Sequence, residues 1–286
     1  VVRSANDRRP YQRRHAVINV NRREYLAALG AASTTLLAGC ASDPCGVDTA
    51  VDGGTPSGDA PFEHPGTLEE TFVANGDYPE DEDPADGYPP AFPDPPESPN
   101  VDPDALETLS VNGETVKLLP IDAARAWYLR AEARFVDARG ERQYTRSHLY
   151  GSVLSPAQQN SVGGGIEGWD TDERVVAYCG CPHHLSSLRA AGLQKAGFED
   201  VYVIDEGFVE WSDQSYPMAG TRFGDGGSAE LSEWQIDGEV DSKHAGEYAW
   251  ATVDRQYEAA PIGDDGGFSI HLRFSDVDAD TPVRVS

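Results

Sequence analysis

Short apolar runs that alternate with helical patterns between residues 106 and 223 restrict the fold more than any other feature of this sequence. The run over residues 174–178, Arg-Val-Val-Ala-Tyr, is typical of a strand buried on both faces of a sheet. The runs and the helical patterns predict strands over residues 134–137, 151–154, 174–178 and 200–204, and helices over residues 121–132, 186–196 and 206–211. Because strands and helices alternate, we expect an α/β fold with a parallel sheet and helices on both of its faces.

Cys179 stands where a buried strand ends and the next helix is about to begin. In such a loop the backbone N–H groups point towards the helix N-terminus, whose positive end lowers the pKa of a thiol and binds anions. A thiolate in this setting is suited to attack on sulfane sulfur or on an oxyanion such as arsenate or phosphate. The predicted anion loop consists of Gly180, Cys181, Pro182, His183, His184, Leu185 and Ser186.

Residues 133–218 carry, in order, several motifs that resemble the rhodanese family. The segment Phe135-Val136-Asp137-Ala138-Arg139 is similar to the Asp-x-Arg strand end of that family, and residues 141–152 are similar to the region that follows. Cys179 matches the cysteine that forms a persulfide, and residues 196–211 match the closing segment, with Phe208 in place of a glycine. The resemblance implies a rhodanese-like domain over residues 106–223, with Cys179 as the catalytic residue, Asp137 and Arg139 in support, and no cofactor.

Two departures from the family pattern leave alternatives open. The loop after Cys179 is one residue longer than the common version, as in the arsenate-reductase and phosphatase relatives. It contains no arginine, which a phosphatase of this type would need to hold phosphate. Cys181 is either a resolving thiol or an ordinary loop residue. The cysteines and histidines of the loop lie too close together, without a distant second ligand pair, for a closed zinc site, so no metal is expected.

The charge of the chain excludes some partners. The net charge is −27, so nucleic-acid phosphates would be repelled and no nucleic-acid partner is expected. Residues 1–39 carry seven arginines and two acids, and the rest of the chain therefore carries −32. With only three lysines in 286 residues, the sequence resembles the proteins of halophiles, in which high salt screens repulsion between acidic side chains.

The N-terminal region resembles an export signal. Arg22 and Arg23 precede an uncharged run over residues 27–39, in the order of a twin-arginine signal. The run ends at Leu37-Ala38-Gly39-Cys40, which resembles a lipobox. We therefore expect residues 1–39 to be a removable signal region and Cys40 to be lipidated. The protein would then be exported and anchored by lipid to the outer side of the cell membrane.

Two further segments flank the predicted α/β domain. Residues 41–105 contain 13 of the 20 prolines, 17 acids and no lysine or arginine, so residues 40–105 are predicted to be a disordered tether. Residues 228–286 alternate apolar and polar side chains between turn signals. They predict a small β-sandwich-like module without visible chemistry, whose protein partner the sequence does not name.

The function that this sequence predicts is sulfur transfer. Cys179 would take a sulfane sulfur from a small donor such as thiosulfate and pass it to cyanide or a thiol. One alternative is a non-catalytic binding module at the cell surface. The other is an arsenate reductase or phosphatase that uses the longer loop.

Overall fold

The computed structural model describes residues 17–19, 73–79, 83–158, 165–180, 182–223 and 232–286. Cys40, Cys181 and the predicted signal region apart from residues 17–19 lie outside the described residues. Within the described ranges, none of the helices has the length and apolar character needed to cross a membrane.

The described residues form four α-helices and fifteen β-strands. The helices are α1 (Ile121–Leu129), α2 (Glu141–Arg146), α3 (His184–Lys195) and α4 (Gly207–Asp213). The strands are β1 (Val17–Asn19), β2 (Val73–Asn75), β3 (Thr108–Val111), β4 (Glu114–Leu119), β5 (Arg134–Asp137), β6 (His148–Leu149), β7 (Val153–Leu154), β8 (Val175–Tyr178), β9 (Val201–Ile204), β10 (Met218–Gly220), β11 (Ser232–Glu239), β12 (Tyr248–Val253), β13 (Gln256–Pro261), β14 (Gly267–Phe274) and β15 (Arg284–Val285).

A six-stranded sheet in the order β3-β4-β9-β8-β5-β7 forms the centre of the α/β part. All neighbouring strands in it are parallel except β3 and β4, which form a hairpin. The predicted parallel sheet is therefore confirmed, but the hairpin at its edge was missed. Asn112 and Gly113 both have positive φ angles at its turn. An Asn-Gly pair is a strong hairpin signal, so the sequence did contain the evidence for it.

Helices cover both faces of this sheet, as predicted. Because successive side chains of a strand point to opposite faces, strands β4, β5, β8 and β9 each contribute to two apolar clusters. Phe135 and Tyr202 pack on one face with residues of α1 and α4. Val136 and Val203 pack on the other face with residues of α3.

The prediction of a disordered tether over residues 40–105 is wrong for its last part. Residues 83–105 lie against the α/β domain, and Gly87 accepts a hydrogen bond of 2.7 Å from the N–H of Phe135. The guanidinium of Arg134 lies 4.6 Å from the centre of the Tyr88 ring, and Phe92 packs against Tyr128. These aromatic contacts and backbone hydrogen bonds offset the cost of ordering the chain, which the composition alone did not show.

A smaller antiparallel sheet brings an earlier part of the same segment onto the domain. Strand β10 pairs with β2 on one side and with β6 on the other. Residues 40–72 and 80–82 lie outside the described residues, and the tether stays a prediction there.

The C-terminal module consists of two three-stranded sheets, β1-β11-β14 and β13-β12-β15. Ile236 and Leu272 from the first sheet share a buried cluster with Ala251 and Ala260 from the second. The predicted sandwich-like packing is thus confirmed, with β1 as an additional strand parallel to β11.

The C-terminal module packs against α2 and α3 of the α/β domain. The side-chain Oε1 of Gln143, a buried residue, accepts hydrogen bonds from the N–H of Gly140 and from the N–H of Tyr257, each 3.0 Å long. At the surface, Arg142 pairs with Asp254 and Asp276. One side chain therefore satisfies backbone groups of both modules, and this contact brings β13 close to the loop after Cys179.

Candidate functional site

Cys179 follows the last residue of β8 and is completely buried. Its Sγ lies 3.2 Å from the Oγ of Ser186, in the first turn of α3. Its carbonyl oxygen accepts a hydrogen bond of 2.9 Å from the N–H of Phe208 at the start of α4. The predicted placement of the thiol between a strand end and a helix start is confirmed by this geometry.

Asp137 and Arg139 form a buried ion pair beside the loop, with 2.6 Å between Asp137 Oδ2 and an Arg139 guanidinium nitrogen. Arg139 also donates to the carbonyl oxygen of Ser147, and its guanidinium lies 3.9 Å from the centre of the Phe208 ring. Burial lowers the pKa of Arg139. The interaction with Asp137 and weaker interactions, one of them with Cys179, raise the pKa by more, so that it lies above its ordinary value. Because this interaction is mutual, the Arg139 cation favours negative charge on the Cys179 sulfur.

His183 precedes α3 in a left-handed backbone conformation, with a φ of 48°. For a residue other than glycine this conformation is strained and is often found at functional loops. The ring Nε2 of His183 lies 2.9 Å from Oδ1 of Asp205, which follows β9. This contact fixes the position of His183 at the start of the helix.

His184 faces the C-terminal module rather than open solvent. Its ring makes a hydrogen bond with the backbone of Ala259 in β13. Burial lowers the pKa of His184, and the neighbouring His183 and His271 lower it further. His184 therefore favours the neutral form and acts as a contact between the two modules.

Strand β13 covers the cysteine loop, which the sequence did not predict. Cys179, Leu185 and Ala138 form one buried apolar cluster with Ala259 from β13. The sequence had indicated no chemistry in the C-terminal module, because no local motif marks it.

Two charged residues of the same module approach the loop. A Cβ built on Gly180 would lie 3.9 Å from Oε2 of Glu258, a buried carboxylate, and 3.7 Å from Cδ of Arg139. A guanidinium nitrogen of Arg273 in β14 lies 3.5 Å from the carbonyl oxygen of Gly180. The loop itself contains no arginine, but the fold brings two arginines and a glutamate next to it.

The structure brings most of the predicted site residues together. Leu185 and Ser186 are buried in the first turn of α3, and Pro182 is exposed. Cys181 lies outside the described residues. Among the described residues, no group of three or more potential metal ligands comes together.

The comparison with protein families places the α/β part in a known class. Residues 122–214, which include four strands of the sheet and the buried Cys179, match the family described as the rhodanese-like domain. These residues therefore form a rhodanese-like domain, within the predicted range of 106–223.

Solved structures of similar proteins match with low sequence identity. A thiosulfate sulfurtransferase from Pseudomonas aeruginosa is 20% identical, with a TM-score of 0.30, and the match covers 34% of this chain and 18% of that chain. A human single-domain sulfurtransferase is 13% identical, with a TM-score of 0.30, and the match covers 34% of this chain and 96% of the human one. A protein from Lactobacillus plantarum is 19% identical, with a TM-score of 0.32, over 35% of this chain and 85% of that chain.

Proposed function

We propose that this protein is a sulfurtransferase that carries sulfane sulfur on Cys179. The observation that supports this most directly is the position of the thiol at the end of β8, in contact with Ser186 and beside the Arg139 cation. A cysteine buried among Ala138, Leu185 and Ala259 is shielded from bulk water. Such shielding favours a persulfide intermediate over its loss to unspecific reactions.

The proposed reaction has two balanced steps. In the first, the Cys179 thiolate attacks the outer sulfur of thiosulfate, a new S–S bond forms, and the old S–S bond breaks as sulfite leaves with the electron pair. In the second, cyanide or a thiolate attacks the terminal sulfur of the persulfide, and the Cys179 thiolate leaves with the electron pair. The product is thiocyanate or a new persulfide, and no external oxidant or reductant is needed.

The residues around Cys179 have separate roles in this proposal. The Oγ of Ser186 can donate a hydrogen bond to the thiolate or to the inner persulfide sulfur. Arg139 favours the negative charge that is present before and after each step. Asp137 and Ser147 hold Arg139 in place, so they act as positioning residues.

Mass spectrometry after incubation with thiosulfate tests the proposal. We expect a gain of one sulfur atom on the peptide that contains Cys179. Cys179→Ser should abolish both this gain and the transfer to cyanide, because serine has a similar size but cannot form a persulfide. Transfer near the original rate in the serine variant would remove Cys179 from the mechanism.

The role of Cys181 is tested in the same assay. If Cys181 attacks the Cys179 persulfide, Cys181→Ser should hold its sulfur longer than the parent protein. An unchanged persulfide lifetime would identify Cys181 as an ordinary loop residue.

One observation favours the phosphatase alternative, because Arg139 and Arg273 both lie close to Gly180 in the cysteine loop. Arg139 already binds Asp137 and Ser147, and Arg273 lies near Glu233. Neither guanidinium therefore presents an uncommitted bidentate face to phosphate. Hydrolysis of aryl phosphates should be negligible, and a hydrolytic rate above the sulfur-transfer rate would reverse this ranking.

We also propose that the protein is exported and anchored by a lipid on Cys40. The support is the order of Arg22-Arg23, the uncharged run and the lipobox-like Leu37-Ala38-Gly39-Cys40. Cys40→Ser should separate the protein from the membrane once the signal has been removed, and Arg22→Lys with Arg23→Lys should block export. Full membrane retention of the processed serine variant would contradict the anchor.

A further inference from the structure

A cleft of about 510 Å³ lies between the rhodanese-like domain and the C-terminal module. Helix α3 and the turn between β3 and β4 form one side of it, and β12 with the residues before it forms the other side. Its lining residues are Asn112, Ala157, Leu188, Gly192, Lys195, Glu247, Tyr248 and Trp250. A cleft of this volume falls within the range of small-molecule binding sites.

One end of the cleft reaches the surroundings of Cys179. Ala157, Leu188, Tyr248 and Trp250 line the cleft, and the same four residues pack against the apolar cluster that contains Cys179. Because Cys179 is completely buried, a substrate needs a path through the side chains around this cluster. These four side chains lie between the cleft and the cluster that contains Cys179.

Two further lining residues, Lys195 and Glu247, carry opposite charges. Lys195, one of three lysines in the chain, lies in the last turn of α3, and Glu247 precedes β12. His244 lies 2.9 Å from one carboxylate oxygen of Glu247. A carboxylate has about four acceptor positions, so Glu247 can still bind an ammonium group. Leu188 and Lys195 lie seven residues apart in α3, a rise of about 10 Å along the helix.

From this arrangement we propose that the cleft binds the sulfur acceptor, a low-molecular-weight thiol with an amino-acid headgroup. Lys195 binds its carboxylate, Glu247 binds its ammonium group, and the aromatic side of the cleft contacts its hydrocarbon part. The thiol then points to the end of the cleft that borders the Cys179 cluster. This inference rests on the proposed sulfur transfer, because it assigns the acceptor of that reaction.

Acceptor kinetics with matched thiols test the recognition of each charge. The probes are cysteine, cysteamine, which lacks the carboxylate, 3-mercaptopropionate, which lacks the ammonium group, and cyanide, which lacks both. Each variant is compared with the parent for the same acceptor, so that differences in thiol reactivity cancel. Lys195→Gln should raise KM about threefold to fivefold for cysteine and 3-mercaptopropionate, the range of a single exposed ion pair, and should leave cysteamine and cyanide unchanged.

The complementary variant reverses the pattern. Glu247→Gln should raise KM for cysteine and cysteamine and leave 3-mercaptopropionate unchanged. Lys243→Gln and Glu239→Gln are the matched controls, since both residues are exposed and neither lines the cleft. Equal shifts in a cleft variant and in its control would overturn the proposal, because they would indicate a general charge effect.

A steric variant tests the cleft without changing charge. A Cβ added at Gly192 would meet only Arg189 Nη1, at 3.9 Å, so a side chain can begin there without a backbone clash. Gly192→Leu should raise KM for all three thiols and spare cyanide, whereas Gly192→Ala should change little. Unchanged thiol kinetics in the leucine variant would contradict binding in the cleft.

A binding measurement separates this inference from the proposed reaction. S-methylcysteine carries the same headgroup but no thiol, and calorimetric titration measures its binding to the protein without any sulfur transfer. We expect binding that Lys195→Gln and Glu247→Gln weaken and that the two controls retain. If binding fails while Cys179 still takes up sulfur, only the acceptor site is wrong. If binding follows the expected pattern while no sulfur appears on Cys179, the site stands and the proposed reaction fails.

Discussion

Two charged or titratable side chains near Cys179 have acidic partners, and a third, His184, has a pKa that its surroundings lower. Arg139 is bound to Asp137, and His183 lies against Asp205. His184 combines partial burial with a hydrogen bond to the backbone of Ala259, so its protonation state affects the contact between the two modules.

The lowered pKa of His184 predicts a stability that depends on pH. Burial, His183 and His271 disfavour the charged ring in the folded state, whereas the unfolded chain takes up the proton at the ordinary pKa of about 6.5. The unfolded state therefore binds more protons as the pH falls below about 6.5. Stability should be fully present above this pH and decrease below it.

Thermal unfolding between about pH 5 and pH 8 measures this effect. His184→Gln, which keeps an N–H donor for Ala259, should show a flatter dependence of Tm on pH than the parent. His244→Gln is the control, because His244 lies at the surface near Glu247 and away from the cysteine loop. The same slope in the parent and in His184→Gln would show that His184 is not responsible.

At the scale of elements, the docking of β13 onto α2 and α3 decides how Cys179 is enclosed. Gly140 lies at the start of α2, where the backbone of β13 comes close. A Cβ built on Gly140 would lie 2.1 Å from the carbonyl oxygen of Arg255 and 2.7 Å from the Tyr257 ring. Because the first of these neighbours is backbone, the two elements would have to move apart.

Gly140→Ala should therefore destabilise the protein by about 1–3 kcal/mol, the usual cost of overpacking. It should also make Cys179 react faster with thiol reagents, since β13 would cover the loop less closely. Gly192→Ala is the matched control, because its Cβ would meet only Arg189 at 3.9 Å. That change should be neutral or stabilising by up to about 1 kcal/mol, as is usual for glycine inside a helix.

Chemical denaturation and the rate of thiol labelling measure both effects. A Gly140→Ala protein as stable and as slowly labelled as Gly192→Ala would contradict close packing between β13 and α2.

For the whole molecule, the balance of charge determines the response to salt. Residues 106–286 carry 30 acids against 15 lysines and arginines. The contact between the modules includes surface pairs of Arg142 with Asp276 and of Arg255 with Glu141. Such exposed pairs contribute about 0–1 kcal/mol each to the stability of the protein. When salt weakens them, the protein therefore loses less stability than it gains from the screening of repulsion between acidic side chains over the whole surface.

We therefore expect Tm to rise when sodium chloride increases from about 0.1 M to about 2 M. Over this range the Debye length decreases from about 10 Å to below about 3 Å, which screens repulsion between acidic side chains. Chloride is preferred to sulfate for this measurement, because sulfate also strengthens apolar burial. A Tm that is equal or higher at low salt would contradict a surface adapted to salt.

The sequence by itself determined the features that depend on neighbouring residues. The buried run over residues 175–178 predicted a central strand, and the residues after it placed Cys179 before a helix, as the structure confirms. Strand and helix signals are local, because they depend on periodicity and on the residues at the ends of each element. The same applies to the missed hairpin, since its Asn112-Gly113 turn was visible in the sequence.

Only the tertiary structure decided what surrounds the cysteine. Glu258, Ala259 and Arg273 reach the loop from about 80 to 95 residues away along the chain, and no spacing rule connects them to Cys179. The segment of residues 83–105 has the composition of a tether, yet Tyr88 and Phe92 pack onto the domain. Such contacts depend on which surfaces meet when the apolar clusters form, and that selection is a property of the whole fold rather than of any local pattern.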